Sequence, residues 1–161
     1  MLIQKIIGAL KGQEAMLGKL VGDLTEEQMM AQPGMMKNHP TWQIGHLTTT
    51  AYWTASMIGG TGNYEKADLY NYGTVPSSEA GKYDSKEQLL ADYHQSHELV
   101  IPLLEKLTAK DLEKETPDEG FRKLVPTIGD VILFTNVSHE QMHLGELLAW
   151  RQAMGLAGVL F

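Results

Sequence analysis

At 161 residues the chain has the length of one domain, spanning 1–161, with enough apolar residues to bury a core without cross-links. It contains no Cys, which excludes disulfides, thiolate nucleophiles and zinc-ribbon sites, so any metal must be held by His, Asp or Glu. Its net charge of -7 comes without a Lys/Arg cluster, which argues against nucleic acid or an anionic membrane as partner. The first residues, Met1 to Ile7, are interrupted by polar residues too often for a signal-peptide core, and no run approaches a membrane span. A soluble cytoplasmic protein is the expectation.

Apolar residues at Ile3, Ile6, Leu10, Leu17 and Leu20 alternate in steps of three and four and predict an amphipathic helix over 2–21, with Gln13 as a polar break. Thr25 and Gln28 stand at capping-box spacing and predict a short helix that Pro33-Gly34 ends. Pro40-Thr41 then opens a second long helix, over 41–58, which Gly59-Gly60 closes. Trp42, His46, Thr49 or Thr50, Trp53 and Met57 share one face of it. A His between two Trp on a mixed aromatic and polar face points to a pocket wall, although a His that simply bonds a neighbour satisfies the same spacing.

Residues 59–84 read as a long Gly- and Tyr-containing connection, which suits a lid. A connection of about 26 residues can run the full length of an 18-residue helix, about 27 Å, so the second and third long helices are expected to be parallel. The third starts with Asp84 as N-cap and Glu87 at capping-box spacing and carries Leu90, Tyr93, His97, Ile101 and Leu104 on its inner stripe. Pro102 should kink it or loosen its last turn. His94 reads as solvated and His97 as a core or pocket-rim residue. Leu107-Thr108 through Pro117 loosely repeats Leu24-Thr25 through Pro33, and Pro126-Thr127 echoes Pro40-Thr41. Two related helical hairpins, and hence an all-α four-helix bundle, follow from that pattern.

The last helix, over 127–154, carries the chemistry. At 100° per residue, Ile128, Ile132, Thr135, His139, His143, Glu146, Trp150 and Met154 share one face, while Glu140 points roughly 80° away from the two imidazoles. His139 and His143, four residues apart, can reach a single ion, and His46 is the best third ligand. His139-Glu140-Gln141-Met142-His143 also matches the zinc-protease motif, but residue 149 is Ala where an extended motif needs a third His. A di-iron bundle would need two Glu-x-x-His motifs, and one occurs, so a mononuclear site fits better. Three neutral imidazoles suit Zn, Ni, Fe or Cu.

Trp42-Gln43-Ile44-Gly45-His46-Leu47 on the second helix, with His139-x-x-x-His143-x-Gly145-Glu146 on the last, resembles the DinB-like superfamily of metal-binding four-helix bundles. The pattern is also similar to related bacterial thiol-dependent transferases and metal-dependent hydrolases. The resemblance implies an up-down-down-up bundle with a long crossover between helices 2 and 3. It also implies a divalent metal, most often zinc or nickel, on His46, His139 and His143, and a homodimer.

On that reading Glu146 or Glu140 serves as catalytic base or orients a ligand, with helix angle favouring Glu146. Trp42, Trp53 and Trp150 would line an apolar binding pocket, though core packing accounts for any one of them. Two functions stay open: a metal-dependent enzyme acting on small molecules, either a transferase using a low-molecular-weight thiol or a hydrolase, and a non-catalytic, stress-associated metal-binding bundle. A thiol cofactor site would need cations, for which Arg122, Lys123 and Arg151 are scattered candidates.

Overall fold

The computed structural model describes residues 2–79 and 81–159. Among them the regular structure is helical, and an isolated antiparallel bridge between Glu115 and Thr127 is the sole extended pairing. Three long helices, Leu2–Val21 (α1), Pro40–Met57 (α3) and Lys86–Lys106 (α5), alternate with the short helices Glu26–Met29 (α2), Ala67–Tyr70 (α4) and Ala109–Leu112 (α6). The last long segment is composite: Ile128–Leu133 (α7), a π-helical turn Phe134–His139, and Glu140–Ala153 (α8). No helix of the described residues is long and apolar enough to cross a membrane.

Local chemistry sets most of these boundaries. Thr25 and Thr108 each cap a four-residue helix through a capping box, with Gln28 and Asp111 as the answering residues. The two short helices thus begin alike, as the internal repeat predicts. Thr127 caps α7 the same way, with Asp130. α3 starts one residue earlier than expected: the His39 ring accepts from the Trp42 N–H, and Pro40 occupies the first turn, where its missing N–H costs nothing. At α5 the N-cap is Ser85, whose hydroxyl accepts from Gln88 N–H, and not the expected Asp84. The Asp84 carboxylate is drawn instead to Lys66 Nζ, 2.5 Å away.

Two apolar clusters fix how the long segments lie. One joins Ile6, Ile7 and Leu10 near the start of α1 to Ala51 and Ala55 late in α3, Val100 and Leu104 late in α5, and Ile128 and Ile132 in α7. The other joins Leu17 and Leu20 late in α1 to Ile44 and Leu47 early in α3, Leu89 and Tyr93 early in α5, and Leu144 and Leu147 in α8. Each fully buried Leu or Ile contributes about 1.5–3 kcal/mol relative to exposure. The crossover between α3 and α5 is fastened along its length. Tyr64 donates to Asp92 at 2.8 Å, Ser77 N–H donates to the Tyr83 hydroxyl at 2.9 Å, and Trp42 Nε1–H donates to Thr74 Oγ1 at 2.9 Å.

The π turn departs from the continuous helix expected over 127–154. Within it, Thr135 Oγ1 donates to Val131 O at 2.8 Å and Asn136 Nδ2 donates to Ile132 O at 3.1 Å, so side chains compete for carbonyls four residues back. Opposite, the buried Gln13 amide of α1 meets the Asn136 carbonyl at 3.0 Å when its nitrogen faces the turn. The polar break in the first helix is therefore a partner for the irregular turn.

Candidate metal centre

His46 lies one and a half turns into α3, His139 at the end of the π turn, and His143 one turn into α8. The structure brings all three together: one ring nitrogen from each lies within 4.8 Å of the others. His46 Nε2 and His139 Nε2 are 3.2 Å apart, close to the roughly 3.3 Å that separates two nitrogens bound tetrahedrally to one ion at about 2.0–2.1 Å.

Two of the rings are held from behind. His46 Nδ1–H donates to Tyr70 O at 2.7 Å, and His143 Nδ1–H donates to Glu146 Oε2 at 3.0 Å. Each bond fixes the tautomer that leaves Nε2 free to accept. The Trp42 indole stacks on the His46 ring, with centroids 4.8 Å apart and planes 8° from parallel. Gly45 makes the Tyr70 contact possible, because a Cβ at this position would overlap the Tyr70 ring, 2.5 Å from its Cγ.

Electrostatics keeps two of the three in the ligand-competent form. Burial pushes His46 down to about 4 against the opposing bond to Tyr70 O. Burial and the neighbouring His143 and His46 rings push His139 down to about 3. Both are neutral at pH 7, as a metal ligand must be. The Glu146 carboxyl is held below its ordinary range by the hydrogen bond from His143, with a further bond from Asn38. His139 Nδ1 is buried without a partner. Three imidazoles converging at this spacing, two of them oriented through Nδ1, suit a divalent ion.

The trio forms one wall of a cavity of about 920 Å³. Trp42, Trp53 and Glu146 line it with the three His. Two other expected residues do not. Trp150 is fully buried, and its Nε1–H donates to Ala31 O at 2.8 Å. Glu140 is also buried; it accepts from the Tyr93 hydroxyl and lies 3.2 Å from His97 Nε2, between α8 and α5. The π turn accounts for Glu140, since it rotates α8 relative to a continuous helix, whereas Trp150 keeps the direction of His143 but lies seven residues, about 10 Å, farther along α8. His97 is thus a bonded core residue, while His94 is exposed and paired with Glu14 at 2.5 Å.

Loops supply the remaining lining, and sequence reasoning did not reach them. Asn38, Asn71, Tyr72 and Thr74 come from the segments flanking α3 and α4, and Phe121 and Leu124 from the loop before α7. Asp118 folds that loop back: its Oδ1 accepts from Gly120 and Phe121 N–H, and its Oδ2 accepts from Trp53 Nε1–H at 3.4 Å. Phe121 consequently packs on Trp53, with centroids 5.1 Å apart. Of the expected cations, Arg122 is turned to Thr116 O and Glu115, and Arg151 is buried against Asp23.

A family model described as DinB superfamily matches residues 9–147, a span that includes all three histidines and Glu146. No curated protein matches the chain.

Proposed function

The chain belongs to the DinB superfamily, and from that premise we propose that it is a divalent-metal-dependent enzyme acting on small molecules, with zinc or nickel on His46, His139 and His143. The observation that carries this reading is the convergence of three ring nitrogens within 4.8 Å in the wall of a large cavity. The two apolar clusters and the long crossover support an up-down-down-up four-helix bundle as the scaffold.

An ion held by three imidazoles with an open position polarises a carbonyl or lowers the pKa of a ligated water or thiol. The chain's own residues do the rest. Tyr70 O and Glu146 orient two of the rings, so their lone pairs converge before any ion arrives. Glu146 is about two-fifths exposed, lines the cavity and is ionised at neutral pH, so it can accept a proton from a nucleophile beside the imidazoles. Trp42 and Trp53 give the cavity apolar walls that exclude water from the reacting group. Hydrolysis is favoured over transfer with a peptide thiol such as glutathione, because Lys37 is the single Lys or Arg in the lining and glutathione carries two carboxylates.

Metal analysis of protein purified without chelator tests the site: bound metal should fall to background in His139→Ala/His143→Ala. Unchanged stoichiometry in that variant would remove the site. Incubation of the zinc- and nickel-loaded protein with an ester panel, and with thiols plus electrophiles, tests the reaction. No turnover in either panel would make the protein a metal-binding bundle without catalysis.

A further inference from the structure

The cavity beside the three histidines has two unlike ends. At one, His46, His139, His143 and Glu146 offer nitrogen and oxygen atoms. Trp53 lies seven residues beyond His46 on α3, about 10 Å along the helix axis, and with Phe121 it forms an aromatic wall at the other end. Eight large apolar side chains are exposed among the described residues, and four of them, Tyr72, Phe121, Leu124 and Met142, line this one cavity. Exposed apolar surface gathered at one concave place marks a ligand site.

Charge is sparse there. Lys37 and Glu146 are the two formally charged side chains of the lining, and Lys37 is exposed at the rim. A ligand with several carboxylates would lose their hydration at the aromatic end and find no cation in return. We propose that the site takes a small molecule with one polar head, directed to the imidazoles, and an uncharged aromatic or branched apolar tail lying against Trp53 and Phe121. This rests on the metal-dependent reading for the head, whereas the tail depends only on the cavity wall.

The test uses three thiols with similar sulfur heads: 4-fluorobenzyl mercaptan with an aromatic tail, 2-mercaptoethanol with almost none, and glutathione with a charged one. Their binding to cobalt-loaded protein is read from sulfur-to-cobalt charge-transfer absorption. The fluorobenzyl thiol should bind roughly 10- to 100-fold more tightly than either of the others, the worth of burying one phenyl group. Phe121→Ala should cut that preference by roughly 3- to 10-fold without changing 2-mercaptoethanol binding, and Phe121→Leu should restore most of it. Glutathione binding as tightly as the fluorobenzyl thiol, or Phe121→Ala weakening all three alike, would overturn the proposal. Absence of any cobalt absorption would remove the metal reading instead. The tail is then judged in metal-free protein by the fluorine NMR line of 4-fluorobenzyl alcohol: broadening that Phe121→Ala abolishes sustains the apolar subsite, and a line unchanged by the protein overturns it.

Discussion

Gly45→Ala separates the stability of the fold from the quality of the metal site. A methyl at residue 45 would sit 2.5 Å from Tyr70 Cγ, against an ordinary contact distance of at least 3.4 Å, so the ring and the α4 turn carrying it must retreat by about 1 Å. Overpacking of this kind costs about 1–3 kcal/mol. Replacing a helical Gly by Ala returns about 1 kcal/mol. The net loss of stability is therefore small, about 0–2 kcal/mol. The effect on the site is larger, because the Tyr70 carbonyl that accepts from His46 Nδ1 at 2.7 Å moves with its ring. Losing such an orienting bond typically lowers metal affinity by about 10- to 100-fold.

Urea denaturation of the metal-free protein gives the first quantity, and zinc competition against a chromophoric chelator gives the second. Gly45→Ala/Tyr70→Leu removes the overlap and should recover most of the affinity. Zinc affinity within twofold of wild type in Gly45→Ala, alongside a lowered urea midpoint, would refute the claim that Tyr70 holds His46 in place.

Three further substitutions probe neighbouring features. Glu140→Gln keeps the shape but weakens the buried bonds to Tyr93 and His97; it should cost about 1–3 kcal/mol in urea denaturation and leave zinc stoichiometry unchanged. Loss of zinc with stability retained would return Glu140 to the site. His39 is buried with its pKa pushed below 6.5 by desolvation, so below pH 6.5 the unfolded chain binds more protons at this residue than the folded one. Its contribution to stability is complete above pH 6.5 and is lost as pH falls toward the folded value. In His39→Asn, which keeps a side-chain cap for Trp42 N–H, urea midpoints should fall less steeply below pH 6.5; an unchanged slope refutes this. Arg151→Met strips donors from Leu20 O, Ala157 O and Asp23 at the α1–α8 junction and should cost about 1–3 kcal/mol, chiefly because the buried Leu20 carbonyl loses this partner. A loss below 0.5 kcal/mol, roughly the scale of an exposed pair, would show that Arg151 is dispensable.

The parts legible in the sequence are those set by local spacing. Thr25 with Gln28, the Thr108 cap, and the run of α1 are decided within a few residues and appear as expected. His46, His139 and His143 were legible for the same reason: helix geometry limits where each can point, and the Trp-His face of α3 is periodic. Contacts between distant segments were not legible. Asp84 fits an N-cap as well as Ser85 until Lys66 arrives across the crossover. Tyr70 reaches His46 through a backbone carbonyl, which no residue type advertises. Phe121 and Leu124 lie in a loop whose fold depends on Asp118 reaching Trp53, a contact across 65 residues.

The largest discrepancy in the last helix, the placing of Glu140, has one cause. A continuous α-helix through Ile132 and Thr135 carries its buried face on through His139, His143, Glu146 and Trp150, by steps of three and four. In the structure Ile128, Val131 and Ile132 are buried before the π turn and Thr135 and Asn136 at its start, while after it Glu140, His143, Leu144, Leu147, Trp150 and Arg151 are buried, a face whose centre has moved round the helix. That is a displacement of one residue, about 100°, which is what one extra residue accommodated in a π turn produces. The displacement sets His139 at the cavity wall and turns Glu140 inward to Tyr93 and His97. With regular winding, the register that packs Ile128 and Ile132 against α1 and α5 would drive His139 into the core. The irregular turn lets one helical segment bury its first half and still present two ligands to a cavity.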